Sequence, residues 1–199
     1  MAGVEAGAAE GDGASARLSW LPVGAGGHLV IHTSHWWELY RAWREHRPPG
    51  ALYHAALDVV EGGGRYLIEM APAWSGPRAD HGVVATGPVG SRLLGRSRFF
   101  RYEVRCWADG ILPDRRFALG GVVRFPLSEA GARALIARVP DVPTPVWGRA
   151  AFGSDMWNSN SLISWLLETS GIDASAVVPP AGGRAPGWAA GIAAAARRR

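Results

Sequence analysis

The residues best suited to chemistry fall in two short stretches. In the first, Tyr53-His54-Ala55-Ala56-Leu57-Asp58-Val59-Val60 and Arg65-Tyr66-Leu67-Ile68-Glu69-Met70 read as strands joined by a longer loop, Glu61-Gly62-Gly63-Gly64. Side chains alternate between the two faces of a strand, so His54 shares a face with Ala56 and Asp58. The small Ala56 leaves room over the imidazole. A register that sets Glu69 opposite Ala56 makes Glu69 the diagonal neighbour of His54, about 7–8 Å away at the backbone and within reach of a carboxylate. A one-residue slip turns Glu69 to the other face. Asp58 lies further along the same strand, roughly 13 Å from His54 at ~3.3 Å per residue, and is a poor partner for the ring. The second stretch is Trp157-Asn158-Ser159-Asn160-Ser161 followed by Leu162-Ile163-Ser164-Trp165-Leu166-Leu167. Leu162, Trp165 and Leu166 recur at helical spacing and Gly171 supplies a stop. Ser159 and Ser161 thus stand near a helix N-terminus, where unpaired N–H groups and the helix dipole favour developing negative charge. Ser and Asn are also preferred helix caps, so capping and chemistry both account for the polar run.

Taken together and in this order, the two stretches resemble the circularly permuted papain-like proteins, the group of the permuted NlpC-type and lecithin:retinol acyltransferase-like enzymes. There a His opens one strand of a hairpin, a polar residue sits on the next, and a Cys at the start of an apolar helix follows later in the chain. Here Tyr53–Val59 with Tyr66–Met70 match the hairpin, and Asn158–Leu167 match the nucleophile helix, together roughly 30 residues of 199. The resemblance implies an α+β fold, a small antiparallel sheet packed against helices. It assigns His54 as general base, Glu69 as the residue orienting it, and Ser159 as nucleophile, with N–H groups of the helix start as oxyanion donors. It implies hydrolysis or acyl transfer at an amide, ester or thioester of a small-molecule, peptide or lipid-like substrate, with Trp157 and Asn158 at the substrate. Ser159 stands where the family carries Cys. A thiolate can be held ready beside a His, whereas a hydroxyl must lose its proton during attack. The chain is then a serine-dependent enzyme or an inactive binding module that keeps the cleft.

The 199-residue chain holds one Cys, Cys106. On the strand expected at Arg98–Trp107 it alternates into the row of Phe100, Tyr102 and Val104, a core position rather than that of a nucleophile. The opposite row, with Arg101 and Arg105, reads as a solvated face. A single thiol excludes an internal disulfide and a thiolate zinc cluster. His28, His32 and His35 have no matching carboxylate or thiolate motif, so no metal is expected. The glycines Gly87, Gly90 and Gly95 match no phosphate loop, the chain has no Lys, and no cofactor is expected. The net charge of +4 includes the terminal Arg197, Arg198 and Arg199, which argues against a nucleic-acid groove. No segment reads as a signal peptide or a membrane span, and the expected place is the cytoplasm.

These side chains need a scaffold. Further strands are expected at Arg17–Leu21, His28–Thr33, Val83–Ala85 and Phe117–Phe125, with helices at Ser34–Trp43 and Ser128–Val139. Residues 1–16 read as a disordered tail, 17–178 as one domain, and 179–199 as a Pro/Gly-rich linker ending in an Arg tail. Among the ten Trp, most should be core and some near Ser159 should line a cleft.

Overall fold

A computed structural model describes residues 13–23, 46, 50–74 and 82–198. The strand expected at His28–Thr33, the helix at Ser34–Trp43 and the histidines His28, His32 and His35 lie outside the described residues. Six strands form one antiparallel sheet: β1 (Ser15–Pro22), β2 (Tyr53–Glu61), β3 (Gly64–Pro72), β4 (Val83–Pro88), β5 (Arg101–Ala108) and β6 (Leu119–Pro126), in the order β4-β5-β3-β2-β1-β6. Helices α1 (Glu129–Arg138), α2 (Ser159–Thr169) and α3 (Trp188–Ala196) complete an α+β architecture.

Period-two patterning explains the layers. Ala16, Leu18 and Trp20 of β1, Tyr53, Ala55, Leu57 and Val59 of β2, and Tyr102 and Val104 of β5 form one buried cluster with the helices. The alternate rows carry Leu21, Ala56 and Leu67, which make a small second cluster with Leu112 on the other face. The β2–β3 connection is shorter than expected: Glu61 pairs with Gly64 around a two-residue turn, with Gly62 at φ 57° and Gly63 at φ 80°. Left-handed backbone at both turn positions is what glycine supplies at least cost.

Three expectations about the elements are corrected. The strand expected from Arg98 begins at Arg101, because Arg98–Phe100 forms a 3₁₀ turn whose Ser97 side chain accepts from the Phe99 N–H. Of the tail expected over 1–16, the described residues Ala14, Ser15 and Ala16 are buried and Ser15 opens β1, so these belong to the sheet. Residues 179–198, expected as linker and tail, are ordered against the domain. The Tyr53 N–H donates to the Arg184 carbonyl and the Arg184 N–H to the Ala51 carbonyl, each at 2.8 Å, so this segment runs beside the entry to β2. It then becomes α3, which packs on α2. The reason escapes hydrophobic periodicity: an Ala/Gly helix has no polar face to mark it, but its small side chains permit close approach. A Cβ on Gly191 would collide with the Ser161 carbonyl and the Ser164 hydroxyl of α2.

Among the described residues no helix is long and apolar enough to cross a membrane.

Candidate active site

Asn158 is the N-cap of α2. Its Oδ1 accepts from the Asn160 N–H at 2.9 Å and the Ser161 N–H at 3.4 Å, while the Ser161 hydroxyl accepts from the Asn158 N–H at 3.1 Å. This reciprocal capping box places Ser159 as the first helical residue. The Ser161 hydroxyl donates onward to the Gly187 carbonyl at 2.6 Å. Asn158 Nδ2 donates to the Pro186 carbonyl at 2.8 Å.

Ser159 Oγ lies 2.5 Å from His54 Nδ1. Strand alternation alone puts His54 on the row of Ala56 and Asp58, away from the helical layer. The contact becomes feasible because the β2–β3 pairing ends at Leu57 and Ile68. Beyond that point Asn160 occupies the vacated strand edge. Its Oδ1 accepts from the Ala55 N–H at 2.8 Å and its Nδ2 donates to the Tyr53 carbonyl at 2.9 Å. The same Nδ2 reaches the Pro186 carbonyl at 2.9 Å. Asn160 therefore grips the backbone on both sides of His54 from the position next to Ser159. The carboxamide supplies one acceptor and one donor, as a neighbouring strand would.

The His54 ring is partly buried, and loss of solvent pushes its pKa down to about 4. Desolvation disfavours the imidazolium, so the ring is neutral at neutral pH. With its proton on Nε2, Nδ1 accepts from the Ser159 O–H; with the other tautomer it donates to Oγ.

The sequence-predicted residues divide accordingly. His54 and Ser159 are brought together across 105 positions of chain. Glu69 is not brought to the ring. The observed pairing of Leu57 with Ile68 is the register that would set Ala56 opposite Glu69 one step further on, but the strands part there. Glu69 instead pairs with Arg105 on β5, Oε1 to Nη1 at 3.3 Å, and Arg105 also binds Glu103 at 2.9 Å. Arg105 is thus a buried ion-pair partner rather than part of a solvated face. Asp58 is likewise committed, to Arg65 at 2.9 Å and Arg115 at 2.6 Å.

Trp157 and Asn158 do not offer themselves to a ligand. Trp157 is fully buried against Phe152, and Asn158 is spent on the cap and on Pro186. The cap also restricts the oxyanion donors expected from the helix start, because the Asn160 and Ser161 N–H groups point at Asn158. Among the described residues, the Ser159 N–H is the amide of this turn left without a hydrogen bond. Cys106 packs against the main core, and burial pushes its thiol up to about 11, an inert state.

Asn160 and the 183–187 segment are the parts missed from the sequence. Asn160 stood in view among polar neighbours, but its strand-edge role carries no local signal. Pro186 also borders an open cavity of about 380 Å³ together with Asp155, Arg184 and Trp188, a volume suited to a small ligand. Comparison with protein-family models, with curated proteins and with solved structures returns no match for this chain.

Proposed function

We propose that this protein is a serine-dependent acyl hydrolase or acyltransferase, built in the manner of a permuted papain-like domain, acting on an amide, ester or thioester. The observation that carries the reading is the 2.5 Å contact between Ser159 Oγ and His54 Nδ1 at the first turn of α2. A hydroxyl at this distance from a neutral imidazole has the geometry of a nucleophile and its general base.

In the proposed reaction, His54 Nδ1 takes the Ser159 proton as Oγ attacks the acyl carbon. The negative charge moves to the carbonyl oxygen, facing the Ser159 N–H and the positive end of the α2 dipole. Collapse of the adduct breaks the bond to the leaving group, which receives the proton from His54. Water, or a second acceptor with a free hydroxyl or amine, then attacks the acyl-enzyme with His54 again as base. The depressed His54 pKa keeps the lone pair available at neutral pH and makes its protonated form a strong acid toward the leaving group. Asn160 acts here as a positioning residue for both partners.

A second reading is a non-catalytic binding module with the same cleft. Its supporting observations are the two amides consumed by Asn158 and the pairing of Glu69 with Arg105 in place of His54. A fluorophosphonate probe separates the two. Labelling of the wild-type protein that disappears in Ser159→Ala and His54→Ala supports the enzyme. Absence of labelling in the wild type, or equal labelling of Ser159→Ala, supports the module.

A further inference from the structure

The connection between β4 and β5 has an unusual surface. Over residues 92–100 it exposes Leu93 at 81 %, Leu94 at 45 %, Phe99 at 69 % and Phe100 at 43 %. Arg92, Arg96 and Arg98 are exposed among them, and the stretch Val89–Phe100 has no acidic residue. Trp74, exposed at 49 %, adjoins the same surface, since the Ala73 N–H donates to the Arg101 carbonyl at 2.9 Å.

The apolar side chains are not needed to hold this loop together. It is anchored through polar and backbone groups: Arg101 Nε donates to the Gly95 carbonyl at 2.5 Å, the Val89 N–H to the Phe100 carbonyl at 2.7 Å and the Ser97 N–H to the Leu94 carbonyl at 2.9 Å. A Cβ on Gly95 would stand 2.8 Å from the Pro88 Cβ, so a larger residue there would push the loop off the end of β4. Two successive 3₁₀ turns, Leu94–Arg96 and Arg98–Phe100, then turn leucine and phenylalanine outward. Contiguous exposed apolar residues of this size mark interaction sites.

We propose that this loop, with Trp74, is a docking surface for an anionic lipid bilayer. Two features favour a bilayer over a protein partner. The side chains project from tight turns instead of lining a groove, and a bilayer interface accepts projecting Leu, Phe and Trp without a matching pocket. The interleaved arginines are complementary to lipid phosphates and carry no countercharge within the loop. The topology gives the docking a consequence. β2 and β5 each pair antiparallel with β3, so both enter the sheet at one end, and the loop leads into β5 at the end where His54 enters β2. A docked molecule holds that end of the sheet toward the lipid. The inference does not depend on the Ser159–His54 reading.

The test is co-sedimentation of the full chain with vesicles of phosphatidylcholine alone and of phosphatidylcholine mixed with phosphatidylglycerol. The wild type is expected to sediment with the anionic vesicles at low salt and to be released as salt rises. Arg92→Gln with Arg96→Gln should weaken that binding about thirtyfold, at ~1 kcal/mol for each arginine near the surface. Leu93→Ser with Phe99→Ser should abolish it while circular dichroism stays unchanged, as suits residues that make no core. Absence of binding to anionic vesicles at low salt overturns the proposal, as does equal binding by the Leu93/Phe99 variant. Self-association of the wild type that this variant abolishes, without vesicle binding, would assign the surface to a second copy and also overturn it.

Discussion

Replacing Asn160 by Ala is the most informative single perturbation of the site. The side chain is 3 % exposed and makes hydrogen bonds to the Ala55 N–H, the Tyr53 carbonyl and the Pro186 carbonyl. The Pro186 carbonyl keeps its bond from Asn158, so truncation orphans two backbone groups of β2. Leaving a buried polar group unpaired costs about 1–3 kcal/mol, so the expected loss for the two groups is about 2–6 kcal/mol in urea unfolding. A purely architectural clamp would stop at that figure. A positioning clamp does more, because both gripped groups flank His54. Freed of it, the ring should drift from Ser159, and a misplacement near 1 Å costs reactions of this kind about a hundredfold. Two further readouts separate the roles: fluorophosphonate labelling of Ser159 under conditions where the variant is still folded, and the ¹⁵N shift of His54 Nδ1. Asn160→Asp is the control. It keeps an acceptor for the Ala55 N–H but sets a carboxylate oxygen against two carbonyls, so it should be no better than Ala. A loss below about 0.5 kcal/mol, the size of an ordinary surface change, refutes the clamp. A full stability loss with an unmoved His54 signal and unchanged labelling refutes positioning.

Other outcomes follow from the same geometry. Labelling of Ser159 should stay level from neutral pH down to about 5 and decline near pH 4, because the folded His54 titrates at about 4 rather than 6.5; a decline centred on 6.5 would refute its desolvation. In stability terms the depressed folded pKa favours the neutral ring. That contribution is fully present above pH 6.5 and lost as pH falls toward 4, which urea titrations across this window will register. Glu69→Gln should leave labelling within about twofold, since Glu69 serves Arg105; a hundredfold loss would return Glu69 to the orienting role. Gly191→Ala should cost about 1–3 kcal/mol by forcing α3 off α2, measured by thermal or urea unfolding, and an unchanged midpoint would contradict the close approach.

Alternation separated Tyr53, Ala55, Leu57 and Val59 from His54, Ala56 and Asp58, and it placed Cys106 against the core. The cap at Ser128 and the helix beginning at Ser159 follow from residue types whose side chains bond the nearest amides. Gly62 and Gly63 marked the hairpin, although the loop proved shorter than the glycine count suggested. The order of residues 14–16 and 179–198 carries no local signal, for a common reason. Ala and Gly bury little surface each, so a segment rich in them looks unable to order itself until its neighbour is known.

Rows, turns and caps are legible in the residues alone, because they depend on contacts within a few residues and on the periods of strand and helix. Partners across the fold are set by how the elements pack. Whether Glu69 meets His54 or Arg105 depends on where β2 and β3 diverge and on which strand lies beyond β3, and no local period encodes that. That Asn160 would replace a strand beside His54, and that residues 183–187 would receive it, depends on three segments distant in the chain meeting at one sheet edge. There the unpaired backbone groups of β2 demanded hydrogen bonds, and the fold supplied them from α2.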